Sequence, residues 1–396
     1  MNSSSAAHPQ RLSATELDAL CVRVRQFVDE VVIPRERKED AHDIEAVDAL
    51  LRELRPRARA EGLYGLQLPV ELGGLGLSYS ECARVFEQAG RGFFSASVLG
   101  CGAPDQPNID TLLQVASAEH RERWLKPLVE GQIRSSFAMT EPAPGVGSDP
   151  RMIRTTARRD GDHWVINGHK WFASGTIGAA FTLVVARTEE GPSWFLVEAG
   201  TPGFTVVRNV EAIDPFSIGG HPELRFDDCR VPASALIGEP GKGFDYAQLR
   251  LEGARLFHCM RHIGLASRAL EFAQDYASRR DSFGAKLAEH QQIQAMVADS
   301  HIDLYAARLM TADVARRLDA GESIRHFSSM AKVFVAEALD RVTDRAAQMC
   351  GALGMSMDSP VSMIHMRIRP FRVYDGASEV HRSAIGRRIF SRSIAP

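Results

Sequence analysis

The stretch that decides the fold begins F-A-M-T-E-P-A-P-G-V-G-S-D-P at Phe137–Pro150 and, after a charged run, continues W-V-I-N-G-H-K-W-F-A-S at Trp164–Ser174. It holds two loops separated by apolar alternation. In the first, Thr140 to Asp149, Gly145 and Gly147 let backbone approach a ligand closely, and Thr140 and Ser148 offer hydroxyls. In the second, Trp171 and Phe172 stand beside Ser174. A flat apolar face next to a hydrogen-bonding group suits a planar heteroaromatic ligand better than a sugar or a metal. Taken singly, each of these residues reads better as part of a surface turn joining two strands of a sandwich.

Outward from this stretch, the short runs Trp164–Ile166, Phe181–Ala186, Trp194–Val197 and Phe204–Val207 are separated by Gly, Pro, Asn and Asp, the texture of an all-β insert. No G-x-G-x-x-G opens a helix, so a nucleotide cofactor here is not held in a Rossmann manner. On the amino-terminal side, Leu17, Leu20, Val22, Val24, Phe27 and Val31 suit a helix behind a Ser13-x-x-Glu16 capping box, and Pro34 with the charged run Arg35 to Asp40 ends that helix. A second helix follows from Val47 to Glu61, and after the Gly73-Gly74 turn Ser78 can cap another. Beyond Asp245 three helical stripes appear, one through Phe257, Met260 and Ile263, one through Met296, Ser300 and Leu304, and one through Met330, Phe334 and Ala338. The chain therefore reads as mostly α with a central β domain. The expected units are an N-terminal helical domain (1–135), a β-barrel-like or sandwich middle domain (136–245) and a C-terminal four-helix bundle (246–396). With 396 residues the chain exceeds one ordinary core.

Charged residues make up 24% of the chain, the net charge is -3, and no long like-charge block occurs, which argues against nucleic acid and anionic membrane as partners. No apolar run is long enough for a membrane span. Met1 to Gln10 is Ser/Ala-rich without an apolar core and reads as a short mobile tail. The six cysteines are scattered with no C-x-x-C, as expected of buried thiols in a cytoplasmic, reducing compartment. His258 and His262 are one turn apart with no third ligand nearby, so no metal is assigned.

The combination T-E-P, G-x-G-S-D and I-N-G-x-K-W-x-x-S-G resembles the acyl-CoA dehydrogenase family, FAD enzymes that desaturate acyl thioesters between the α and β carbons. The resemblance implies flavin contacts at Phe137, Met139, Thr140, Gly147, Ser148, Phe172, Ala173 and Ser174. Five residues, Ala143 to Gly147, stand where the family has three. Near the carboxyl end, Val373-Tyr374-Asp375-Gly376-Ala377-Ser378 breaks the helical pattern. From the residues alone Asp375 is a turn or capping residue. The family has Y-E-G-T-S here, and its Glu removes the α proton as the β carbon gives hydride to the flavin. The resemblance thus makes Asp375 the catalytic base, with Glu252 in reserve, two residues out of register with a base position that some relatives use and that Ala254 matches here. An aspartate reaches roughly 1.3 Å less than a glutamate, while a base must come within about 3 Å of its proton.

The same resemblance assigns Ser148, Arg255, Tyr374 and Gly376 to the acyl-CoA site. It assigns Arg280, Phe283, His290, Gln291, Gln348, Gly351, Ala352, Ala377 and Glu379 to the cofactor, several of them reaching it across a subunit boundary. A homodimer or homotetramer is therefore expected, with an electron-transfer flavoprotein as electron acceptor. Cys101–Asp110, Lys170–Gly175, Arg255–Arg261 and Asp375–His381 bring the resemblance closest to the branch of family members ten and eleven, which has Asp at the base position. Two alternatives are a flavin-dependent oxidase or monooxygenase of the same fold, similar to nitroalkane oxidase and acting on a substrate without CoA, and a non-catalytic scaffold that keeps the helical shell.

Overall fold

The computed structural model describes residues 11–36, 43–214 and 216–391. The expected tail at Met1–Gln10 and most of the charged run after Arg35 lie outside these residues. Helix α1 (Ala14–Phe27) starts at Ser13 with the reciprocal Ser13–Glu16 capping box, and its buried positions are Leu17, Leu20, Val24 and Phe27. Helix α2 (Ile44–Ala60) is capped by Asp43. Helix α3 (Tyr79–Ala89) is capped by a second box, Ser78 with Glu81. Helix α4 (Asp105–Val115) leads through shorter helical turns into the sheet.

Eight strands follow: β1 (Ser135–Ala138), β2 (Thr156–Asp160), β3 (His163–Lys170), β4 (Phe181–Arg187), β5 (Pro192–Glu198), β6 (Phe204–Asn209), β7 (Pro222–Pro232) and β8 (Leu236–Ile237). They form one sheet in the order β6-β7-β3-β2-β4-β5-β8, with β1 running parallel to β4. β4 explains why its sequence is a continuous apolar run. Phe181, Leu183 and Val185 enter one core with Ile109 and Leu112 of α4, while Val184 and Ala186 enter another with Trp164 and Phe226. A strand covered on both faces has no polar side to alternate with.

Helix α5 (Gly243–Arg279) opens the C-terminal part and ends at a small hairpin of β9 (Asp281–Ser282) and β10 (Ala285–Lys286). Helices α6 (Gln291–Asp319), α7 (Arg325–Cys350), α8 (Pro360–Ile368) and α9 (Ser378–Phe390) complete the chain. The bundle and the N-terminal helices share one core, in which Phe257 of α5 meets Tyr79 and Phe86 of α3 at ring distances of 5.6 and 5.0 Å. That crossing requires glycine: a Cβ on Gly264 would stand 1.8 Å from the Glu87 carbonyl oxygen. No described helix is long and apolar enough to cross a membrane.

Candidate active site

Between α8 and α9 the chain makes one tight turn, Arg369–Arg372, and then the loop Val373–Ala377. Asp375 has φ +55° and Gly376 φ +96°, so two consecutive residues lie in the left-handed region. For Asp375 that conformation is strained and must be held from outside. Three donors on three helices hold it. Arg255 Nε of α5 donates to the Asp375 carbonyl at 2.9 Å, and His381 Nε2 of α9 donates to the same oxygen at 3.1 Å. Lys332 Nζ of α7 donates to the Gly376 carbonyl at 2.6 Å. With both carbonyls bound into the helices, the amides of Asp375 and Gly376 make no hydrogen bond within the described chain.

The Asp375 side chain is 15% exposed, and its buried Oδ2 accepts no hydrogen bond. His258 Nε2 is the nearest ring nitrogen, at 3.4 Å. Buried cations surround this carboxylate. Burial pulls the Lys332 ammonium down to about 8 against the attraction of Asp375, and pulls the Arg250 guanidinium down to about 10 against Asp375 and Asp110. Arg250 Nε donates to Asn108 at 2.8 Å while its guanidinium lies 4.2 Å above the Phe137 ring. Burial also moves His381 down to about 4, so it stays neutral. Tyr374 is already engaged. His262 Nδ1 donates to the His258 carbonyl at 2.8 Å, so its Nε2 is the acceptor for the Tyr374 hydroxyl, also at 2.8 Å.

The two loops of the β domain are fastened by a buried ion pair. Lys170 Nζ, with no exposed surface, donates to Glu141 and to the Met139 carbonyl, both at 2.8 Å. Glu141 also accepts from Thr155 Oγ1 at 2.6 Å and from the backbone amides of Arg154 and Thr155. Burial raises the Glu141 carboxyl, but Lys170 and these donors outweigh it and hold the group low. The Trp171 amide donates to the Thr140 carbonyl at 3.1 Å, joining the two loops directly. Beyond that joint, Trp171 and Phe172 meet edge to face at 5.2 Å, with Phe172 at φ +47° and 42% exposed. Ser174 Oγ is 2.7 Å from His221 Nδ1, and Ala173 is buried beneath it. Gly147 and Ser148 are exposed at the loop tip, and a Cβ on Gly147 would meet nothing within 4 Å.

The remaining expected cofactor positions fall into two groups away from the Asp375 loop and one pair that follows it. Arg280 ends α5 and is exposed, and Phe283 at the hairpin tip is 98% exposed with φ +51°. His290 donates to the Ser282 carbonyl at 3.0 Å and stands edge-on to Phe283, and Gln291 begins α6. Gln348, Gly351 and Ala352 are exposed where α7 ends, and Ala377 and Glu379 open α9. Among the described residues, no hydrogen bond, ion pair or ring contact joins the hairpin group or the Gln348 group to the Asp375 loop. Glu252 is half-buried on α5. Sequence reasoning gave no role to Lys332, His381, His258, His221, Glu141 or Lys170. His258, His381, Glu141 and Lys170 each lie inside a stretch that carries the family resemblance, whereas Lys332 and His221 lie outside all of them. The described residues contain no group of three His, Cys, Asp or Glu that could hold a metal, and all six cysteines are free thiols.

Three family models match: the acyl-CoA dehydrogenase N-terminal domain over residues 14–132, its middle domain over 136–229 and its C-terminal domain over 241–390. Acyl-CoA dehydrogenase family member 11 of Gallus gallus is 36% identical over 388 residues, covering 92% of this chain and 49% of that protein. The chain thus spans about half the length of that relative. A solved structure from Mycobacterium abscessus, assigned to the acyl-CoA dehydrogenases, is 37% identical with TM-score 0.89 and covers 97% of this chain and 100% of that one. Butyryl-CoA dehydrogenase from Megasphaera elsdenii is 27% identical with TM-score 0.82, covering 96% of this chain and 99% of that one. With all three domain models matched in order, and with an Asp-Gly turn leading into the last helix, this chain belongs to the acyl-CoA dehydrogenase family.

Proposed function

We propose that the protein is an FAD-dependent acyl-CoA dehydrogenase in which Asp375 removes the α proton of an acyl-CoA thioester. The observation that carries this reading is the buried Asp375 Oδ2, a carboxylate oxygen without any hydrogen-bond donor, in a loop whose two carbonyls are tied back by Arg255, His381 and Lys332. A carboxylate saturated with donors is a poor base. Among the described residues no donor is bonded to either Asp375 oxygen, so the carboxylate keeps a lone pair for a C–H proton.

The residues fit the cofactor. The half-exposed Trp171–Phe172 shelf offers a flat face for a ring system, the Gly147 loop leaves open space for backbone approach, and Ser174 with His221 supplies polar atoms at the shelf's edge. When bound there, FAD supplies the acceptor for the β hydrogen and its electron pair. The chain supplies the rest. Asp375 takes the α hydrogen as a proton, and the electron pair of that C–H bond becomes the second bond between Cα and Cβ as the β hydrogen departs. The amides of Asp375 and Gly376, unpartnered among the described residues, are the donors for the thioester oxygen in this reading, where negative charge builds as the α proton leaves. Arg255 positions the loop through its carbonyl. The exposure of Phe283, Gln348 and Arg280 supports completion of the cofactor site by a second subunit in a homodimer or homotetramer. Electrons then leave to an electron-transfer flavoprotein in the cytoplasm.

The test is anaerobic addition of a series of acyl-CoAs to the flavin-loaded protein, following loss of flavin absorbance in wild type and Asp375→Asn. The rate should fall roughly 10²- to 10⁴-fold in the variant. Bleaching at the wild-type rate would remove Asp375 as base. Oxygen consumption on a substrate without CoA would replace the dehydrogenase by an oxidase.

A further inference from the structure

His258 lies on α5 one turn beyond Arg255, with Nε2 3.4 Å from the donorless Oδ2 of Asp375. Its tautomer follows from its neighbours. Arg261 directs a guanidinium N–H at His258 Nδ1 at 3.4 Å, and a guanidinium has no lone pair to offer in return. Nδ1 must therefore be the acceptor, which leaves the hydrogen on Nε2, the nitrogen that faces the carboxylate. Burial, reinforced by Arg261, His262, Arg367 and Arg250, keeps the ring neutral. Tyr374 at 5.2 Å and Phe371 at 6.0 Å wall the ring in, and Arg261 is itself fixed by donating to the Cys101 carbonyl at 2.7 Å.

We propose that His258 is a positioning residue for the base: its Nε2 hydrogen closes onto Asp375 Oδ2 when substrate fills the site, leaving Oδ1 as the oxygen that meets the α proton. The inference rests on Asp375 being the base. A carboxylate on a single methylene has little length with which to correct its aim, and a donor on one oxygen fixes the plane of the other. A neutral donor suits the task better than a charged one. An imidazolium at this distance would pair with the carboxylate and quench its basicity, whereas a neutral N–H orients it and leaves it able to accept a proton.

The experiment measures exchange of the α hydrogen of a bound saturated acyl-CoA with D2O, read by mass spectrometry, alongside α- and β-deuterium isotope effects on flavin bleaching. His258→Leu should slow α exchange roughly ten- to hundredfold, the worth of one hydrogen bond to a charged group. The α-deuterium effect should rise while the β-deuterium effect, flavin content and Tm stay at wild type. His258→Gln keeps an N–H of similar reach and should recover α exchange to within about threefold. Arg261→Met gives a second route. It leaves His258 in place but frees its tautomer, and should slow α exchange without changing the β-deuterium effect. Wild-type α exchange in both His258→Leu and Arg261→Met, or equal loss in the Leu and Gln variants, overturns the proposal. Asp375→Asn separates the two readings: if it exchanges at the wild-type rate the base assignment falls and this inference with it, whereas a silent Asp375→Asn beside a fully active His258→Leu removes only the inference.

Discussion

Replacing Lys332 by methionine should leave stability at pH 7 nearly unchanged and yet cripple turnover. Lys332 has no exposed surface, and its single hydrogen bond runs to the Gly376 carbonyl at 2.6 Å. Its ammonium pKa is pulled by burial from 10.5 to about 8, so keeping it charged at pH 7 costs roughly 3 kcal/mol. The charge-assisted hydrogen bond returns about 1.5–3 kcal/mol. Methionine removes both terms at similar volume, so urea unfolding should give stabilities within about 1.5 kcal/mol of each other. Catalysis has no such cancellation. Without the anchor on Gly376, the left-handed pair at Asp375 and Gly376 can relax, and a base displaced by about 1 Å costs on the order of 10²-fold in rate. The pH dependence fixes the sign. The folded pKa lies below that of the unfolded chain, so from about pH 8 to about pH 10.4 the unfolded chain holds a proton that the folded one has shed. Wild-type stability should therefore gain a contribution of roughly 3 kcal/mol over that interval, absent from Lys332→Met. A variant more than about 3 kcal/mol less stable at pH 7, or one bleaching flavin at the wild-type rate, would refute this account.

Two further outcomes follow from buried ionisable groups. Glu141→Gln leaves the Lys170 ammonium buried beside an amide, which should cost about 3–5 kcal/mol in urea unfolding, while a loss under 1 kcal/mol would mean that the pair does not fasten the loops. His262, moved down to about 3 by burial, must be neutral in the folded protein, so the unfolded chain binds the extra proton below pH 6.5. Its contribution is fully present above that pH and lost as pH falls toward 3, about 2 kcal/mol by pH 5. His262→Phe, which keeps the stack on Phe371, should flatten that part of the curve, and parallel pH 5-to-7 slopes would count against it.

What the sequence made legible was local or repetitive. The capping boxes at Ser13–Glu16 and Ser78–Glu81 are four-residue patterns and form as written. β4 and β5 were legible because both their faces are covered, so apolar residues run without a break. β2 was hidden in a charged run. In T-A-R-R-D only Ala157 points into the core, and the strand exists because β3 pairs along its whole length. β7 was hidden the same way, its buried Leu224, Phe226 and Cys229 interleaved with Arg and Asp. The site divides likewise. Asp375 could be singled out because a motif surrounds it. Lys332 could not, since a lysine next to the Met330–Phe334 stripe reads as the solvated side of a helix until α7 packs over the loop. Asp375 stands far from His258 in sequence, so no short window contains both ends of that contact, and Glu141 and Lys170 share one stretch but meet only because β3 returns to the first loop.

Why the anchoring falls on carbonyls rather than on the carboxylate follows from the chemistry the loop has to perform. Had Arg255, His381 and Lys332 donated to the Asp375 side chain, they would have fixed its position at the expense of its basicity, since every hydrogen bond to a carboxylate favours the deprotonated state. Donating instead to the two main-chain oxygens fixes the Cα and spares the side chain. It also leaves the Asp375 and Gly376 amides without a partner among the described residues. One set of contacts thereby positions both the base that takes the α proton and the main-chain amides beside it. The left-handed φ values at Asp375 and Gly376 accompany this anchoring of two successive carbonyls by three helices.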